Sequence, residues 1–251
     1  MSSRRSPPAE SRIEPPGPVT AIAFRPEFLD FQRGIRVGNL EENERITRIL
    51  KLALESRYGE GFVTERYGRG VHWRWIGYLS RANRTAKPLS SHVSFGCSKF
   101  FIEVDTEDRL FKCGLQVERG FAKAPRGSRD FQLRADWDWH RLLKALRPGG
   151  PMERELARLL REGFMVHGGS WAEGPSCYSR AAYPGAARFR RVLQTAPKND
   201  WAGFQLFYPM REAEVRSATG IDLVESMLAV FSEVTPAMNL CMQVQLQPAV
   251  G

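Results

Sequence analysis

What the chain lacks narrows it first. No stretch approaches the roughly 20 apolar residues that span a bilayer, and the mean hydropathy of −0.38 agrees. Cysteine is scarce, and none of Cys97, Cys113, Cys177 and Cys241 stands in a C-x-x-C pair, so neither a zinc ribbon nor a thioredoxin-type centre is spelled out. Histidine is scarcer in effect: His72, His92, His140 and His167 are scattered, with no H-E-x-x-H spacing. A G-x-x-x-x-G-K-[ST] phosphate loop and a G-x-G-x-x-G fingerprint are both missing. His167-Gly168-Gly169-Ser170 has the form of a lipase oxyanion loop, but no G-x-S-x-G supplies the nucleophile. No cofactor is implied, and no catalytic apparatus is recognisable. Arg4-Arg5 is not followed by an apolar secretory core, so the expectation is a cytosolic chain with reduced thiols.

Lysine is also short: only 7 of the 37 bases are Lys. Against 28 acids this leaves a net charge of +9, with residues 1–100 at +7, 101–200 at +5 and 201–251 at −3. A basic body suits a polyanion such as nucleic acid, although a GC-rich genome produces the same arginine excess. Apolar residues at 42% and charged residues at 26% are ordinary for a folded protein.

Residues 1–20 hold five prolines and few large apolar groups, which predicts a disordered tail ahead of a single domain over 21–251. Ile46, Ile49, Leu50, Ala53 and Leu54 recur at helical spacing and predict a helix over 41–57. Gly68-Arg69-Gly70 predicts a hairpin between strands 61–67 and 71–79. A second hairpin, 93–105 with 110–118, turns at Glu107-Asp108. This register puts Phe100, Ile102, Val104, Phe111, Cys113, Leu115 and Val117 on one face. Glu103, Asp105, Lys112, Gln116 and Glu118 fall on the other, and Glu103 opposes Lys112. Helices are expected at 137–147, capped by Asp136, at 151–162 and at 221–234, the last closed by Pro236. Short strands are expected at 163–167, 189–193 and 202–208. Together these predict an α+β fold: an antiparallel sheet with one buried face, packed against several helices.

Two acid-free stretches carry the functional expectation. Over 66–99 there are seven bases interleaved with aromatics, and over 174–199 five more bases. Bases neutralise phosphates and flat rings stack on unpaired bases. Trp73 and Trp75 are expected to share a strand face. Arg74, Arg81, Arg84 and Lys87 beside them, with Arg188, Arg190 and Arg191, form the predicted polyanion site. A surface rim of arginines over packed aromatics is the plainer alternative. An enzymatic alternative is a metal-dependent nuclease using Asp105 and Glu118 with Gln116 alongside, although Gly120 stands where the customary lysine belongs. A third is a subunit of a larger protein assembly, consistent with the Pro-rich tail and acidic C-terminal part.

The segment Arg81–His92 resembles a motif of the bacterial family called domain of unknown function 2461, of the form R-D-x-R-F-S-x-D-K-x-P-Y-K-x-H. Arg81, Arg84, Lys87, Pro88 and His92 match; Ala82, Thr85 and Leu89-Ser90 depart. Phe100–Val104, Cys113–Gln116, Phe207–Met210 and Val230–Pro236 are similar to its strand pair and C-terminal part, so the likeness runs over about 70–246. It implies a fold more than an activity.

Overall fold

The computed structural model describes residues 22–90, 94–174 and 176–249. The predicted tail over 1–20 and His92 lie outside them.

Among the described residues nine strands form one sheet: β1 Leu29–Asp30, β2 Gly34–Arg36, β3 Phe62–Arg69, β4 His72–Ser80, β5 Lys99–Asp105, β6 Leu110–Gly120, β7 Met165–Ser170, β8 Ser176–Tyr178 and β9 Ala202–Arg211. Their order is β1-β2-β4-β5-β6-β9-β7-β8, with β3 also on β4, and every pairing is antiparallel. The helices are α1 Ile46–Tyr58, α2 Arg81–Thr85, α3 Asp138–Ala145, α4 Pro151–Arg161, α5 Ala186–Thr195, α6 Glu212–Ser217 and α7 Gly220–Asn239. The fold is therefore α+β, as the pattern predicts.

The β5–β6 register is the predicted one, with Glu103 opposite Lys112 and Ile102 opposite Cys113. Its apolar face joins one core cluster with stripes from the helices. From α7 come Leu223, Val224, Met227, Phe231 and Val234, and from α4 Met152, Leu156 and Leu159. Thr219 and Asp222 bond each other's backbone reciprocally and start α7.

Several local expectations are corrected. Residues 189–193 are helical, not a strand: Ala186, Phe189 and Leu193 recur at helical spacing and seat α5 on Gly168. Pro236 lies inside α7, not after it. Val234, Ala237 and Met238 are all buried around it, and that burial outweighs the ~3 kcal/mol cost of an internal proline. Asp136 does not cap α3. Its carboxylate takes Leu89 N, Ser90 N and Ser90 Oγ instead (2.9, 3.1 and 2.7 Å), tying two distant loops.

The second face of the sheet is polar, as expected, but largely closed to solvent. Lys112, Gln116 and Glu118 are buried. Aromatics from the strands and the connecting loops lie over this face: Phe207 by Lys112, Trp75 by Gln116, Trp201 edge-on with Phe95 and Phe121, and Trp171 over Gly203.

Candidate functional site

A β-bulge decides where the predicted site residues go. Tyr67 pairs with Trp75, but the next residue, Gly68, pairs with Trp73, so β4 carries one extra residue, Arg74. The extra residue reverses the alternation and sends the two indoles to opposite faces. Gly68 makes this geometry accessible: its φ is +151°, and a Cβ there would sit 2.5 Å from Trp73 Cα. The expectation that Trp73 and Trp75 share a face is thus corrected.

Trp75 turns to the polar face. Its indole lies across Gly77, and its Nε1 donates to Gln116 Oε1 at 3.0 Å. Gln205 Nε2 donates to the same oxygen (2.8 Å) and to Glu103 Oε2 (3.2 Å). Lys99 is fully buried beside them, 2.6 Å from both Glu65 Oε2 and Glu118 Oε2. Burial alone would lower its pKa, but the two carboxylates outweigh this and hold it above its ordinary value. Glu118 also accepts from Trp201 Nε1 (3.2 Å). Lys112 bonds Asp105 Oδ2 (2.6 Å), not the Glu103 it opposes. Burial raises the pKa of Glu103 against the pull of Lys112 and Gln205. His167 is pushed down to about 4, mainly by burial and then by Lys112.

This layer does not assemble the predicted metal pair. Asp105 opposes Leu110, and Glu118 lies eight residues further along β6, roughly 26 Å away. One ion cannot touch both. Among the described residues, no group of three His, Cys, Asp or Glu side chains is placed to hold a metal.

The predicted bases disperse. Lys87 is buried, not at the surface, because its Nζ pairs with buried Asp138 Oδ1 at 2.7 Å and donates to Asn83 Oδ1 at 3.0 Å. Asn83 Nδ2 bonds Asp138 Oδ2 (2.8 Å), and Asn83 Oδ1 also takes Gln243 N (2.9 Å). The stretch from Asn83 to Lys87 is therefore a clasp joining α2, α3 and the C-terminal chain. Arg84 is half-buried and its Nε has no partner. Arg81 is exposed at the start of α2. Arg74 is exposed on the bulge and feels Glu103 on the polar face. Arg188 and Arg191 are exposed and Arg190 half-buried on α5, which packs on β7. β7 lies four strand spacings from β4, about 19 Å.

Trp73 takes a different company. On the helical side it lines a groove of about 490 Å³ with Arg45, Thr47, Arg48 and Lys51 from the start of α1, and Thr64 and Arg66 from β3. The Arg66 guanidinium stacks 4.1 Å from the Trp73 ring centroid. Positions 45, 48 and 51 are one helical turn apart, so their side chains align along one face. Glu42 is the single acid in the lining. It pairs with Arg48 at 3.1 Å, and Lys51 pairs with Glu55 at 3.6 Å; both are partly exposed contacts of the kind that contribute little energy. Arg45 Nε is shielded without a partner. The R-x-x-R-x-x-K spacing at positions 45, 48 and 51, on the helix expected over 41–57, is the sequence signal for this groove. Its pairing with Arg66 and Trp73 comes from chain folding.

No protein-family model matches the chain, and no curated protein matches it. No helix among the described residues is long and apolar enough to cross a membrane.

Proposed function

We propose that the protein binds a phosphate-bearing polyanion, with nucleic acid as the first candidate, in the groove between α1 and the β3–β4 hairpin. The observation that carries this reading is the convergence of Arg45, Arg48, Lys51 and Arg66 around the Trp73 ring, against one acid. Guanidinium and ammonium groups neutralise phosphates, and the Arg66 guanidinium stacked on the half-buried Trp73 indole offers a flat surface against which a base can lie. The site keeps Trp73 from the residues expected on sequence grounds and replaces the others. Four free thiols fit action in a reducing compartment.

The test is titration of single-stranded DNA, duplex DNA and RNA at rising salt. Binding should weaken steeply with salt. The Arg48→Glu/Lys51→Glu double variant should lose about tenfold or more in affinity and about two units of log–log salt slope. Flat isotherms for all three nucleic acids, or a double variant that binds like wild type, would remove the reading.

A further inference from the structure

A second cavity lies beyond the C-terminal end of α1. It is an open hollow of about 570 Å³, lined by Glu60, Gly61, Arg81, Ala82, Thr85 and Ala86. Its volume falls in the range of small-molecule sites, and its lining is mostly aliphatic with few polar groups, as such sites require. The two charged residues are of opposite sign and do not pair with each other. Nor does either side chain have an ion-pair or hydrogen-bond partner elsewhere among the described residues. Glu60 Oε1 is shut from water without a donor, which leaves that carboxylate short of a counter-charge.

The Arg81 backbone is anchored beside Gly61. Its backbone N–H donates to Gly61 O at 2.9 Å, and its side chain runs past Gly61, where a Cβ would come within 3.3 Å of Nε. A side chain at position 61 would push the guanidinium away. Ala82, Thr85 and Ala86 supply the apolar part of the same lining.

One unpaired cation, one unpaired anion and an apolar patch in one hollow are the complement of a small zwitterion. We infer that this cavity binds a free α-amino acid with a short aliphatic side chain. The ligand carboxylate meets Arg81, its ammonium meets Glu60, and its side chain covers the alanines. The site goes beyond the polyanion reading and does not depend on it: with one acid and one base, its lining has no net charge to attract a polyanion. Because the hollow is open, the affinity belongs in the millimolar range, where little of the ligand is desolvated.

The experiment is an NMR titration of the full chain with L-valine, isobutyrate and isobutylamine at equal ionic strength. Valine should give saturable shifts at Gly61 and Ala82–Ala86, with isobutyrate and isobutylamine at least tenfold weaker. Glu60→Gln and Arg81→Gln should each weaken valine by about tenfold while leaving the rest of the spectrum in place. Ala82→Leu, which fills the apolar part of the lining, should do the same without touching either charge. Arg48→Glu/Lys51→Glu should leave valine binding unchanged, which separates failure of this site from failure of the groove. No saturable shift with valine overturns the inference, as does isobutyrate binding as tightly as valine. Undiminished valine binding in both charge variants does so too.

Discussion

The two faces of the sheet are both closed to water, but by different physics. The helical side is closed by Leu, Ile, Val, Phe and Met side chains from α1, α4, α5 and α7. There contact is non-directional and each group contributes in proportion to the apolar area it buries. The opposite side is closed by Trp75 of β4 and by loop aromatics such as Phe95 and Trp201 over Lys99, Glu65, Glu118, Gln116, Gln205 and Glu103. There each buried group depends on one or two named partners. The comparison teaches that burial by itself does not say how a face fails. The apolar face should weaken gradually as methylenes are removed, at any pH. The polar face should fail at single atoms, and its failure should depend on pH.

The largest effect tests this contrast directly. Lys99→Met strands Glu65 and Glu118 without their shared cation and should cost about 3–5 kcal/mol near neutral pH. Phe100→Ala, stacked on Phe231 in the apolar core, should cost a similar ~3–5 kcal/mol. Urea unfolding at several pH values separates them. The Lys99 loss should shrink as acid protonates the stranded carboxylates, while the Phe100 loss should stay level. Equal pH dependence would dissolve the distinction between the faces.

His167 gives the next effect. Its imidazole takes up a proton near pH 6.5 when unfolded but only near 4 when folded. The unfolded state therefore binds more protons in between, and stability present above 6.5 is lost as pH falls toward 4. The full shift corresponds to about 3 kcal/mol. Glu103 acts with the opposite sign: its raised pKa adds stability in acid that is lost as pH climbs through that value. His167→Asn should flatten the acid limb of the stability curve; an unchanged limb would place the effect elsewhere.

A smaller loss is expected at the bulge that separates the faces. Gly68→Ala forces a Cβ onto Trp73 at positive φ and should cost about 1–3 kcal/mol, with a shift in tryptophan fluorescence. The smallest change in stability belongs to Arg188→Glu/Arg191→Glu on α5. These exposed sites should alter stability by less than about 0.5 kcal/mol and leave groove binding near wild type. A strong binding loss there would extend the polyanion surface across the molecule.

Much of the architecture is written in local pattern. The alternation of Phe100, Ile102 and Val104 with Phe111, Cys113 and Leu115 set the central hairpin and its register, because strand side chains repeat every two residues. The stripe from Val224 to Val234 marked α7 for the equivalent helical reason. The short run at 189–193 holds three apolar residues, Phe189, Val192 and Leu193, and so short a window fits either period. The candidate site was harder to see. Lys87 looks like any surface lysine until Asp138 arrives from far along the chain. Trp73 and Trp75 share a face in any regular strand, and only the mismatch opposite Gly68 parts them.

The sequence by itself determined the fold class, the hairpin register and the apolar stripes, since each follows from periods of two or 3.6 residues read within a short window. Tertiary structure alone decided which charges distant in sequence meet. Pairs such as Lys99 with Glu65 and Glu118, and the alignment of the α1 bases with Arg66 and Trp73, join strands and helices distant in sequence. Electrostatic and hydrogen-bond partners are chosen within a few ångströms, and that distance exists only after the chain has closed on itself.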